Sequence, residues 1–237
     1  MSELVLVKNL TKEFGRENTR VTAVKGVSMK VSEGEVLIIV GPSGSGKTTL
    51  LSMIGCILTP TSGEVYIEGQ KISDLPYRAL PDIRKNKIGF VFQSFNLLKS
   101  LTIQENIEAA LNLNKIKGNE AKARAKKLLI DVGLEGRLGF FPAELSGGEK
   151  QRVSIARAVA NDPKIILADE PTGNLDSETG QKIASMLRDL AEKERKAVII
   201  VTHDNRIENI ADRIIHFEDG KIIQEAMGEA RSQVASV

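Results

Sequence analysis

The sequence predicts an α/β fold built on a mostly parallel sheet, and three observations carry that prediction. Short runs rich in Val, Ile and Leu read as buried strands: Glu35-Val36-Leu37-Ile38-Ile39-Val40, Lys164-Ile165-Ile166-Leu167-Ala168 and Ala197-Val198-Ile199-Ile200-Val201. Longer helical patterns alternate with them, the order that crossovers between parallel strands require. The runs are continuous rather than alternating, as strands covered on both faces need.

The N-terminal third has a different pattern. Leu4 to Val7, Thr22 to Val31 and Gly63 to Ile72 read as antiparallel strands, with turns at Glu33-Gly34 and Glu68-Gly69. A β-subdomain joined to the parallel core is expected there. Residues from about 95 to 160 read as helical. Glu120 to Val132 fits one amphipathic helix, with Ala121, Ala125, Leu128, Leu129 and Val132 on its apolar face and Gly133 closing it. Its Lys and Arg residues read as a solvated face, with contact to anionic lipid as the other reading. The small, polar segment from Ala226 to Val237 is expected to fray.

Composition narrows the class. A chain of 237 residues buries roughly 70–75% of its unfolded surface and needs no disulfide or metal staple. Lys and Arg number 33 against 31 Asp and Glu, a balance that argues against bulk nucleic-acid binding. The single cysteine, Cys56, allows no intrachain disulfide and fits a reducing compartment. It sits in the run Met53-Ile54-Gly55-Cys56-Ile57-Leu58, so it reads as a small buried hydrophobe before it reads as a reactive thiol. Met1 to Leu10 lacks the form of a signal peptide. Apolar stretches such as Val36 to Val40 fall far short of the ~20 residues that span a bilayer. A membrane role would therefore require a partner.

The segment Gly41-Pro42-Ser43-Gly44-Ser45-Gly46-Lys47-Thr48 has the spacing of a phosphate loop. It follows a predicted strand and opens a helix with Leu50, Leu51, Ile54, Ile57 and Leu58 at helical spacing. The glycines let backbone approach a phosphate chain, and the helix N-terminus adds partial positive charge. Lys47 is expected at the β- and γ-phosphates, Thr48 on Mg²⁺, and Thr49 beside the bound nucleotide. The other reading, a Gly-rich turn without a ligand, leaves this combination of spacing and context unexplained.

The strand Ile165 to Ala168 ends in Asp169-Glu170. Asp169 is placed to bind Mg²⁺ through water. Glu170 is placed to orient and deprotonate the attacking water, help worth roughly 10²–10⁴-fold in rate. Acidic loop residues are common, so it is the accompanying phosphate loop that gives this pair its meaning.

Leu145-Ser146-Gly147-Gly148-Glu149-Lys150-Gln151-Arg152 closely resembles the signature motif of the ABC ATPases. Ser146-x-x-Glu149 is also a capping box that starts a helix running through Ala160. The other family landmarks follow in order. Gln93 resembles the glutamine-loop residue, which senses Mg²⁺ and the partner. Asn174-Leu175-Asp176 resembles the D-loop, and His203 in Val201-Thr202-His203-Asp204 resembles the switch histidine that contacts the γ-phosphate. Phe14, in Thr11-Lys12-Glu13-Phe14-Gly15, is the best candidate for the aromatic ring, often tyrosine in the family, that stacks on adenine; core packing is its other reading.

The resemblance runs from Leu4 to about Glu225. It implies one domain with a P-loop NTPase core of the RecA-like type. Residues 1–92 and 161–225 would hold the β-subdomain and nucleotide-binding core, and residues 93–160 a helical subdomain carrying the signature motif. The remaining residues, 226–237, form the expected flexible tail. It further implies a homodimer closing on two ATP molecules with Mg²⁺, with Ser146, Gly147, Gly148 and Glu149 acting in trans. Glu149 departs from the glutamine common at its position.

The implied activity is ATP hydrolysis that drives a separate integral membrane permease from the cytoplasmic side. Ile54-Gly55-Cys56, Phe92-Gln93-Ser94-Phe95-Asn96-Leu97-Leu98 and Pro171-Thr172-Gly173-Asn174-Leu175-Asp176 resemble the lipoprotein-release and macrolide-efflux group. Phe95, Leu97, Leu98 and Leu101 are read either as a groove for the permease or as core packing. The alternative function is a regulator of a membrane complex, as in the cell-division relatives. Chromosome-type members are disfavoured because only about 100 residues, without sustained heptads, separate the phosphate loop from the signature. A GTPase is disfavoured because Asn86-Lys87-Ile88-Gly89 lacks the aspartate of a guanine reader.

Overall fold

The computed structural model describes residues 2–16, 19–228 and 230. Two sheets organise the described residues. The first is antiparallel, in the order β2-β1-β4-β5, from β1 (Glu3–Phe14), β2 (Val21–Ser32), β4 (Ser62–Ile67) and β5 (Gln70–Lys71). The second has the order β10-β9-β3-β8-β7-β6. Its strands are β3 (Val36–Val40), β6 (Ile88–Phe92), β7 (Ile165–Asp169), β8 (Ala197–Thr202), β9 (Arg213–Glu218) and β10 (Lys221–Met227). All its neighbours pair in parallel except β10, which runs antiparallel to β9.

The continuous apolar runs have the expected cause. In β3, Leu37 and Ile39 face one core, with residues of the antiparallel sheet, α1 (Lys47–Ile54) and α2 (Leu80–Lys87). Val36, Ile38 and Val40 face a second core, beneath α6 (Ser177–Glu192). Strands β7 and β8 divide their side chains in the same way. Alternate residues on opposite faces are the period of a strand, and each fully buried Ile or Leu contributes about 1.5–3 kcal/mol. A third core joins α3 (Ile103–Leu113), α4 (Gly118–Asp131) and α5 (Gly147–Ala158).

Several expectations need correction. The Glu68-Gly69 turn does close a hairpin, both residues having positive φ (49° and 75°). The Glu33-Gly34 turn instead carries the chain from the antiparallel sheet to the parallel one. A turn's chemistry does not specify which sheet the next strand joins. Ala226 and Met227 belong to edge strand β10 rather than to a frayed tail; most of residues 228–237 lies outside the described residues. Helix α5 ends at Ala158, short of Ala160. The predicted helix at Glu120 starts earlier, at Gly118. Its Ala121, Ala125 and Leu129 are buried while Lys122, Lys126 and Lys127 are exposed, in keeping with a solvated face.

Candidate functional site

The phosphate loop, Gln93, Asp169, Glu170 and His203 gather at the carboxyl ends of the parallel strands, where α/β sheets hold ligands. The loop 41–46 leaves β3, Gln93 follows β6, Asp169 ends β7 and His203 follows β8. Strand β8 lies between β3 and β7, so the acidic pair reaches the phosphate loop across an intervening strand. The contact is still direct: Thr48 Oγ1 donates to Asp169 Oδ1 at 2.9 Å.

Backbone packing shapes the loop. A Cβ on Gly46 (φ 102°) would lie 2.1 Å from the carbonyl oxygen of Ala23 in β2, so only glycine fits there. Lys47 Nζ donates to its own loop, to Gly41 O at 2.7 Å and Pro42 O at 2.9 Å. Burial pulls the pKa of Lys47 down, against the attraction of Glu170 and Asp169. Burial pushes Asp169 above the usual carboxylate range, offset by the Thr48 hydrogen bond. Ser45 is buried, its hydroxyl unpartnered among the described residues.

Glu170 adopts a left-handed backbone (φ 48°), a conformation that costs a non-glycine residue about 1 kcal/mol or more. Its carboxylate is nonetheless well held. Oε2 accepts from Thr202 Oγ1 at 2.9 Å and from the His203 backbone N–H at 3.3 Å, while Oε1 lies 2.8 Å from His203 Nδ1. Asp204 braces this corner. It accepts from Thr172 Oγ1 and pairs with Arg206, and Arg206 holds its pKa down at about 2.

Not all the predicted residues share one cleft. Ser43, Gly44, Gly46, Lys47, Thr48, Thr49, Gln93, Glu170 and His203 line one of about 380 Å³. Ser146, Gly147, Gly148, Glu149 and Asp176 line another of about 420 Å³. Phe14 lies in neither lining. It is 42% exposed with Lys12 Nζ 5.2 Å from its ring centre, so it is not a core residue.

In the second cleft the capping box is formed. Ser146 Oγ accepts from Glu149 N, and Glu149 Oε2 takes hydrogen bonds from Ser146 N and Oγ, each at 2.8 Å. These bonds hold Glu149 below the usual carboxylate range. A Cβ on Gly148 would meet Thr179 Cγ2 of α6 at 2.4 Å, so this glycine also serves close helix packing. Asp176 caps α6 by accepting from Thr179 N, which lowers its pKa. Cys56 is buried, and that burial pushes its thiol up to about 11, in keeping with a packing role.

A third, largely apolar cleft of about 520 Å³ opens between the core and the helical unit. Ile57, Phe90, Phe92, Ala110 and Leu113 form its walls; of the loop 95–101 only Asn96 contributes. Phe95, Leu97, Leu98 and Leu101 do not line it, and Leu97 packs instead on the helical core. Sequence reasoning also missed the roles of Thr172, Thr202, Asp204 and Gln151, which brace the corner around Glu170. All four lie inside the short motifs quoted above, Gln151 in 145–152, Thr172 in 171–176, and Thr202 and Asp204 beside His203, but the motifs do not show what each side chain holds.

The fold and these clefts define a phosphate-loop ATPase cassette, and comparison with known proteins narrows the class. The sequence profile described as "ABC transporter" matches residues 24–173. An ABC transporter ATP-binding protein of Methanocaldococcus jannaschii, MJ0796, is 47% identical over 226 residues, covering 94% of this chain and 96% of that protein. The macrolide export ATP-binding/permease protein MacB of Mannheimia succiniciproducens is 44% identical over 222 residues; the match covers 94% of this chain but 34% of MacB. The dimeric, post-hydrolysis structure of MJ0796 bound to ADP and Pi superimposes with a TM-score of 0.88 at 46% identity, covering 94% of this chain and 98% of that one. The chain belongs to the ABC transporter family, as an ATP-hydrolysing subunit of a transport system. None of its described helices is long and apolar enough to cross a membrane.

Proposed function

We propose that two copies of this chain close face to face on two ATP molecules, each held between the phosphate loop of one copy and the signature turn of the other. The observation that carries this reading is the division of the nucleotide residues between two clefts. Gly147 and Gly148 at the start of α5 offer backbone N–H groups and a helix dipole to an anion, yet they do not line the cleft that holds Lys47. A second copy turned by a two-fold axis supplies what each cleft lacks.

Within one site the roles divide by chemistry. The loop 41–46 cradles phosphate through backbone N–H groups, and Lys47 exchanges its two loop carbonyls for phosphate oxygens. Thr48 and Asp169 present hard oxygen donors side by side, which suits Mg²⁺, an ion that takes one or two protein oxygens plus phosphates; Gln93 lines the cleft with Thr48. Mg²⁺ would neutralise charge on the phosphates. Glu170 orients a water and accepts its proton, steadied by Thr202 and the His203 backbone, and His203 faces the γ-phosphate. Phe14 stacks on adenine, and Asp176 touches the opposite site.

The transport partner is a separate permease, seated in the apolar 520 Å³ cleft beside exposed Ile57 and Leu113. Likeness to MacB supports an export system of the macrolide-efflux or lipoprotein-release kind, with this chain on the cytoplasmic face. The test pairs two variants. Glu170→Gln is expected to bind ATP, accumulate as a dimer in sedimentation, and lose turnover by about 10²-fold or more. Lys47→Ala is expected to lose tight ATP binding. Normal hydrolysis by the first, or unchanged affinity in the second, contradicts the assignment.

A further inference from the structure

We infer that Gln151 is a positioning residue that ties the catalytic corner of one cleft to the helix that forms the other. Gln151 lies on the second turn of α5 and is fully buried. Its Nε2 donates to the Pro171 carbonyl at 2.8 Å, and Pro171 directly follows Glu170. The other end of the amide, Oε1, has no partner among the described residues. A half-satisfied buried amide is costly, and an apolar side chain of like volume would avoid that cost. Packing therefore does not account for glutamine here; the grip on Pro171 does.

The grip matters because of what it holds. Glu170 is fixed on its strand side by its N–H to Val201 O at 2.9 Å. On the other side its left-handed backbone runs into a proline, whose ring restricts the residue before it. Moving the Pro171 carbonyl therefore moves Glu170. The first turn of α5, Ser146 to Glu149, lines the second cleft, and one rigid helix joins it to Gln151. The far end of α5 is gripped as well: Arg157 donates to Asn96 O at 2.6 Å and Phe95 O at 2.9 Å, in the loop after Gln93. Tilting α5 when its N-terminus meets nucleotide re-aims Glu170 of the same chain. The inference rests on the dimer reading above, and it makes each site's chemistry depend on occupancy of the other.

Mixed dimers test this. One chain carries Glu170→Gln, so that only the other chain's Glu170 is competent, and ATP-dependent phosphate release is measured. Gln151→Met on the chain with intact Glu170 is expected to lower the rate about tenfold or more. The same substitution on the Glu170→Gln chain, whose α5 caps the competent site, is expected to have less than a threefold effect. Loss that follows the capping chain, or no loss in either arrangement, overturns the inference. A Glu170→Gln homodimer that still hydrolyses ATP would instead overturn the base assignment.

A second variant guards against a folding defect. Gln151→Glu cannot donate when ionised but regains an O–H donor when protonated. Its rate relative to the wild type is expected to rise as pH falls from 8 to 6 or to stay near one throughout, and a ratio that is flat and far below one counts against the hydrogen bond.

Discussion

His203 Nδ1 lies 2.8 Å from Glu170 Oε1, across the join between the carboxyl ends of β7 and β8. The imidazole and the carboxylate belong to loops more than thirty residues apart, yet they share one cleft with Lys47 and Thr48. His203→Ala is expected to lower kcat and kcat/KM together by about 10²-fold, with ATP affinity changed less than threefold, since the contact serves the transition state. A raised KM with unchanged kcat would assign the imidazole to ground-state binding.

Asp204 supports that corner through Arg206 and Thr172, and its folded pKa lies at about 2 against an ordinary 3.8. A depressed carboxylate pKa contributes stability above the unfolded value and loses it as pH falls toward the folded one. Asp204→Asn is therefore expected to cost about 1–2 kcal/mol at pH 7, a figure discounted for the solvent near Arg206. The gap between variant and wild type closes as pH falls from about 4 to about 2. Denaturant melts across that range measure it.

Glu149 places a carboxylate where the opposing triphosphate is proposed to sit. Glu149→Gln keeps an oxygen that accepts from Ser146 N, so the cap of α5 survives while the charge goes. ATP-driven dimerisation of the Glu170→Gln chain is expected to tighten about threefold or more at low salt, with the gain fading as salt screens the charge. Sedimentation at two ionic strengths reads both effects. Equal dimer affinity at low salt would place Glu149 away from the phosphates.

Much of this site was legible because its residues sit in short motifs at strand ends. The loop 41–48, Asp169-Glu170 and His203 each follow a short Val/Ile/Leu run that reads as an interior strand, so topology delivers them to one edge. The bracing roles were not legible, although the residues lie inside quoted motifs. Gln151, Thr172 and Asp204 act through hydrogen bonds to loops distant in sequence, and such pairs form only once the strands are ordered. The β9–β10 hairpin was missed because β10 is an edge strand with largely exposed side chains and little apolar pattern. Its Asp219-Gly220 turn, both residues at positive φ, was the available signal.

The central claim is that each ATP site is built from two chains, and complementation tests it most directly. One chain carries Lys47→Ala, which disables its phosphate loop; the other carries Ser146→Arg, which blocks its signature turn. Neither homodimer is expected to hydrolyse ATP. In the mixed dimer, the Ser146→Arg chain's phosphate loop faces the Lys47→Ala chain's signature turn, so one complete site forms and phosphate release returns, at a rate below that of the wild type because the second site stays empty. A mixed dimer that assembles and remains inactive would mean that each site is completed within a single chain.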